Sequence, residues 1–120
     1  MQPELLLDAR AELGEGPAWN AKEGRLYWLD ILNRRVYAGT EQLLQFDDYV
    51  GCAAPRKEGG LALTLSDGFY EWPGPGGPLS LIARVPGPGL RFNDGKCDPA
   101  GRFLAGNMDL QEKEPLGTLY

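Results

Sequence analysis

Apolar residues in this chain come in short runs separated by turn residues, too brief and too often interrupted for amphipathic helices. Residues 14–19 (GEGPAW) close on Ala18-Trp19, and the turn 20–24 (NAKEG) leads into 25–30 (RLYWLD). Residues 34–38 (RRVYA), a Gly39-Thr40-Glu41 turn and 42–46 (QLLQF) follow. Four successive segments of this kind predict one antiparallel sheet paired in chain order. The pattern restarts at 60–65 (GLALTL), turns at Ser66-Asp67-Gly68 and continues through 69–72 (FYEW) to 79–83 (LSLIA). Asp-Gly between two such runs is a strong hairpin signal, because a tight turn needs residues that tolerate positive φ. A third start covers 91–97 (RFNDGKC), turns at Asp98-Pro99-Ala100-Gly101, runs through 102–106 (RFLAG) and ends in 117–120 (GTLY).

Composition strengthens the all-β reading. Seventeen glycines and ten prolines in 120 residues suit short strands and tight turns rather than helices. The three sheet starts recur at roughly the 40 to 50 residues of a β-propeller blade. The expected units are a first blade at 11–50, a second at 51–89 and an incomplete third at 90–120. Within residues 72–89, with Pro73, Pro75, Pro78, Pro86 and Pro88, the run Leu79 to Val85 reads as an edge strand between proline-rich turns, since proline is tolerated at strand edges. Trp19, Tyr27, Trp28, Tyr37, Phe46, Phe69, Tyr70 and Trp72 fall at strand positions, where aromatics pack between sheets.

Charge and residue counts then remove function classes. A net charge of −5 without clustered Lys and Arg argues against a nucleic-acid partner, whose phosphates require such clusters. Arg34-Arg35 and Arg56-Lys57 read as solvated hairpin charges. The chain has no histidine, so chemistry must use carboxylates, amides or an oxygen-bound metal. Cys52 and Cys97 are far apart in sequence and read as buried thiols. The N-terminus has only the short apolar run Leu5 to Leu7 and no preceding basic residues, so neither a signal peptide nor a membrane span is expected and a cytoplasmic protein is.

Two places can carry chemistry. Glu15, between two glycines and before Pro17, is a carboxylate on backbone that can bend towards a ligand; on its own it equally suits a solvated surface. In 91–96 (RFNDGK) an extended strand puts Arg91 and Asn93 on one face and Phe92 and Asp94 on the other. A guanidinium beside an amide suits recognition of hydroxyls and a carbonyl, and a solvated face over a Phe92 core is the plainer alternative. Asp94-Gly95 and Asp98 to Gly101 read as structural turns. Lys96 and Arg102 are expected to pair with nearby carboxylates.

The stretch 90–106 (LRFNDGKCDPAGRFLAG) and the upstream Gly14-Glu15-Gly16-Pro17-Ala18-Trp19 resemble the SMP-30/regucalcin/gluconolactonase family. The resemblance implies a six-bladed β-propeller, of which this chain would supply about two and a half blades, with residues 1–10 as the closing strand of the last blade. It implies metal-dependent hydrolysis of a sugar lactone, with Glu15 as a ligand of one divalent ion, Ca, Mg, Mn or Zn. It implies substrate contacts from Arg91 and Asn93 and, where regucalcin-like members place a Glu, from Gln111. Asn107 departs from the family's G-T-M pattern. The candidate base is expected beyond Tyr120, so no catalytic residue is assigned. The alternative is an incomplete propeller module, without activity of its own, that associates through open sheet edges with its missing part or with itself.

Overall fold

The computed structural model describes residues 1–85 and 87–120 and contains, among them, ten strands and no helix. In the first sheet β1 (Gly14–Asn20), β2 (Arg25–Asp30), β3 (Arg35–Ala38) and β4 (Glu41–Gln45) pair in chain order, all antiparallel. The second sheet repeats the plan with β5 (Cys52–Pro55), β6 (Leu61–Leu65), β7 (Gly68–Trp72) and β8 (Ser80–Arg84). In the third, β9 (Leu90–Cys97) pairs with β10 (Phe103–Asp109). The Asp98 turn joins them as expected, with the Gly101 N–H donating to Asp98 O at 2.9 Å and Gly101 at φ 83°.

Burial explains why these runs are strands. Leu29, Val36, Leu61 and Leu63 are fully buried, together with Ile31 and Val50 from the connections, in a core shared by the first two sheets. Phe92, Cys52, Val85 and Ala105 form a second core between the second and third sheets, where Phe69 meets Phe92 and Phe103 edge-on. Burying such side chains stabilises by about 1.5 to 3 kcal/mol for each large apolar residue, so the sheets are held face to face by apolar contact.

Four features of the fold depart from expectation. β5 is a strand that the reading of runs passes over: Cys52, Ala53 and Ala54 are all buried, and a strand covered on both faces shows no alternation to detect. Trp19 is 64 % exposed and is not core, because the exposed side chains of β1 alternate as Glu15, Pro17 and Trp19 and Trp19 points with them. Cys97 is exposed while Cys52 is buried, since Cys97 falls at the far end of β9. Residues 117–120 form one bridge, Gly106 to Leu119, rather than a full strand. Pro86 lies outside the described residues, and the edge strand expected in its segment is β8, fully exposed along its length.

Candidate functional site

The first strand of each sheet, β1, β5 and β9, stands beside the next, with β5 in the middle. A cleft runs between them, bordered by Pro17 and Trp19, by Ala53 to Pro55, and by Asp94 to Cys97. Their contact is close because Gly51, just before β5, lies against β9: a Cβ there would come within 2.4 Å of the Phe92 carbonyl carbon and oxygen.

Glu15 sits at a bulge. Its partner is Leu29 and the next pair is Ala18 with Tyr27, so β1 carries one extra residue. Gly16 adopts φ 59° there, a conformation that suits glycine. The approach to β1 is pinned by Asp30, whose carboxylate accepts the backbone N–H groups of Glu12 and Leu13, both at 3.1 Å, and the Asn33 Nδ2 amide at 2.8 Å. Burial pushes the Asp30 carboxyl up, but the hydrogen bonds from Asn33, Leu13 and Glu12 outweigh it and hold it below the usual carboxylate range. The Glu15 side chain is exposed and enters no hydrogen bond or ion pair among the described residues. A free carboxylate of this kind suits a hard cation that prefers oxygen ligands. It is one ligand, and among the described residues no group of three or more acidic, His or Cys side chains gathers round a common point.

Arg91 and Asn93 are brought together. Arg91 is 4 % exposed, and its Nη1 donates to Asn93 Oδ1 at 2.9 Å and to Phe92 O at 3.2 Å. The β9–β10 register steps from Asn107–Phe92 to Gly106–Asp94, so the extra residue of a second bulge is Asn93. Bulges of this kind re-aim a side chain beside a site. Asn93 and Asp94 are exposed while Arg91 and Phe92 are buried, so the guanidinium is the deep element and the amide the accessible one. Glu15 is one strand further away, beyond β5, and shares no hydrogen bond or ion pair with this pair.

Gln111 lies in an exposed loop after β10. The loop is organised by Asp109, whose carboxylate accepts the N–H groups of Gln111 at 3.1 Å and of Lys113 and Glu114 at 3.0 Å each. Those backbone donors, Lys113 first, hold the Asp109 carboxyl below its ordinary value. The same loop brings Glu112 Oε1 to 3.7 Å from Arg91 Nη2. Asn107 is buried and accepts the Thr118 N–H at 2.7 Å while its own N–H donates to Thr118 O at 3.0 Å, so it fastens the final residues to β10. Arg102 pairs with Asp98 at 2.6 Å, whereas Lys96 makes no ion pair among the described residues. The reading of the sequence missed Asp30, Asp109 and Glu112; the signal for the first two was an Asp at a strand end before a turn, a residue type that captures backbone N–H groups.

Comparison with known proteins places the chain in a family. Residues 13–120 match the SMP-30/Gluconolactonase/LRE-like region. The chain is 35% identical over 127 residues to YvrE of Bacillus subtilis, spanning 100% of this chain and 44% of that protein. It is 38% identical over 103 residues to the 6-deoxy-6-sulfogluconolactonase of Pseudomonas putida, covering 80% of this chain and 35% of the relative. A crystal structure of the calcium-binding protein regucalcin from Agrobacterium tumefaciens superposes with TM-score 0.83 at 25% identity, over 92% of this chain and 40% of that one. The chain thus spans less than half the length of each. Its antiparallel sheets are blades of the propeller fold, and the chain belongs to the SMP-30/gluconolactonase/LRE-like family.

Proposed function

We propose that this chain supplies part of the site of a metal-dependent sugar-lactone hydrolase, with Glu15 as a ligand of a divalent ion and Arg91, Asn93 and Gln111 on the substrate. The observation that carries the reading is the buried Arg91 guanidinium joined to the exposed Asn93 amide at the bulge of β9. A buried guanidinium bonded to an exposed amide is costly to maintain for stability alone and suits a hydroxylated ring. The 6-deoxy-6-sulfogluconolactonase supports lactone chemistry, and the calcium-binding regucalcin supports a divalent metal. Such an ion, Ca, Mg, Mn or Zn, supplies Lewis acidity towards the lactone carbonyl when bound. Arg91 and Asn93 then hold the ring hydroxyls while water adds to the carbonyl and the ring oxygen leaves. Residues 1–10 serve as the closing strand of the last blade in the longer protein, with blades at 11–50, 51–89 and 90–120. The two unpaired cysteines suit the reducing cytoplasm.

The test is Glu15→Gln in the full-length protein, with metal affinity measured by calorimetry and lactone hydrolysis followed in parallel. The expected outcome is loss of most metal affinity and activity with the fold retained; unchanged metal affinity overturns the assignment. A second reading, an incomplete module that associates through open edges, is favoured by the exposure of Leu5 and Leu6 at 81% each, Trp19 at 64% and Ile82 at 59%. Light scattering on the 120-residue chain together with metal titration and a lactone assay decides it: a monomer that binds metal tightly counts against association, and an assembly without turnover supports it.

A further inference from the structure

We infer that Glu112 sets the charge preference of the substrate site, favouring uncharged lactones over those that carry a carboxylate or sulfonate. The inference rests on the reading of Arg91 as a substrate-binding residue. Arg91 is almost wholly buried, and its two hydrogen bonds go to neutral acceptors, Asn93 Oδ1 and Phe92 O. Among the described residues its one ion-pair partner is Glu112, whose carboxylate lies 3.7 Å from Nη2. That distance is too long for a hydrogen bond, so the carboxylate balances the charge while leaving Nη2 able to donate to a ligand. A neutral hydroxyl that accepts from Nη2 meets no repulsion from Glu112. An anionic substituent meets Arg91 already neutralised and the Glu112 charge beside it.

The loop is built to hold this contact. Asp109 accepts three backbone N–H groups around it, and the Glu112 N–H donates to Asp109 O at 3.0 Å. Glu112 itself adopts φ 58°, a region in which a non-glycine residue is uncommon and which marks functional segments more often than chance. A glycine would satisfy the backbone better there. What glutamate adds is the carboxylate facing Arg91.

The experiment compares two ring ligands that a lactonase does not hydrolyse, methyl β-D-glucopyranoside and its uronate counterpart, which differ by one carboxylate. Binding to the full chain is followed by the NMR signal of the Arg91 Nε–H group in the parent protein, in Glu112→Gln and in Glu112→Gly, the last of which also relieves the backbone. The expected result is that both variants shift the anion-to-neutral affinity ratio about twofold to fivefold towards the uronate, the size of an exposed charge interaction. The shift should shrink as salt rises, a dependence that a purely structural role of the loop does not produce. An unchanged ratio in both variants, with Arg91 still responding to either sugar, overturns the role of Glu112. No response of Arg91 to either ligand in the parent protein overturns the substrate assignment itself and the inference with it.

Discussion

The first strands of the first and third sheets carry the two halves of the proposed site in opposite ways. Around β9 the polar groups are already assembled: Arg91 is buried, bonded to Asn93 and faced by Glu112. Around β1 only the backbone is prepared. Asp30 fixes the approach and Gly16 bends the strand, yet the Glu15 carboxylate is left exposed and without a partner among the described residues. A group that orients a neutral ring can be completed by neighbours in sequence, because a strand, a bulge and one loop suffice. Glu15 lacks such neighbours: a hard cation takes about six to eight oxygen ligands, and among the described residues no group of three or more acidic, His or Cys side chains gathers there.

The strongest way to break this comparison is to separate β9 from its support. Gly51→Ala places a methyl 2.4 Å from Phe92 backbone atoms, and neither strand can yield without moving the sheet. The expected cost is about 1 to 3 kcal/mol or more, measured by denaturant unfolding. Thiol labelling supplies a second readout: burial pushes the Cys52 thiol up to about 12, so Cys52 should resist modification in the parent protein and react in the variant, while exposed Cys97 reacts in both.

The next test sharpens the division of labour. In the full-length protein Arg91→Ala removes charged hydrogen-bond donors, worth about 1.5 to 3 kcal/mol, and should lower kcat/KM by roughly ten- to a hundredfold with metal affinity kept. Gln111→Ala removes an exposed neutral amide and should cost about 0.5 to 1.5 kcal/mol, because the loop is held through the Gln111 backbone N–H, which alanine retains. Loss of metal binding in Arg91→Ala would show that the two halves are not separable in this way.

The two halves were also unequally legible. Arg91 and Asn93 could be paired from strand alternation alone, and the structure joins them, although the bulge that exposes Asn93 left no trace in the sequence beyond the flanking Asp94-Gly95. Glu15 was legible as a carboxylate on a bend, and its environment was not, since residues 4–11 and Trp28, which line a cavity with it, carry no pattern that places them there. The hairpins were readable wherever a turn residue and period-two alternation coincided, as at Asp67-Gly68 and Asp98 to Gly101. β5 was hidden because Cys52-Ala53-Ala54 is small and buried throughout, and Trp19 misled because its size suggests core while its strand face is open. Glu112 was out of reach of pattern reasoning: its place opposite Arg91 depends on four hydrogen bonds to Asp109, three at the carboxylate and one at the backbone oxygen, that close the loop.

The effects most dependent on pH should come from the carboxylates that brace each half. Asp30 and Asp109 both accept backbone N–H groups and both are held below the ordinary carboxylate range. A carboxyl whose folded value is depressed contributes stability that is present above its unfolded value, about 3.9, and that is lost as pH falls through the lower folded value. Both braces should therefore be intact at neutral pH and fail only below about pH 4. Asp30→Asn keeps one acceptor oxygen but loses the charge, and an expected cost of about 1 to 3 kcal/mol at pH 7 should fade as the pH is lowered through this window. Asp109→Asn should lose its pH dependence over the same range and loosen residues 110–114, which amide hydrogen exchange at Gln111, Lys113 and Glu114 reports directly. The comparison makes the two variants differ in their consequences: Asp30→Asn should disturb the approach to Glu15 and spare the Arg91 Nε–H signal, whereas Asp109→Asn should shift that signal by releasing Glu112. Equal disturbance of Arg91 by both would mean that the two strands are coupled through β5 and that the halves of the site are built as one.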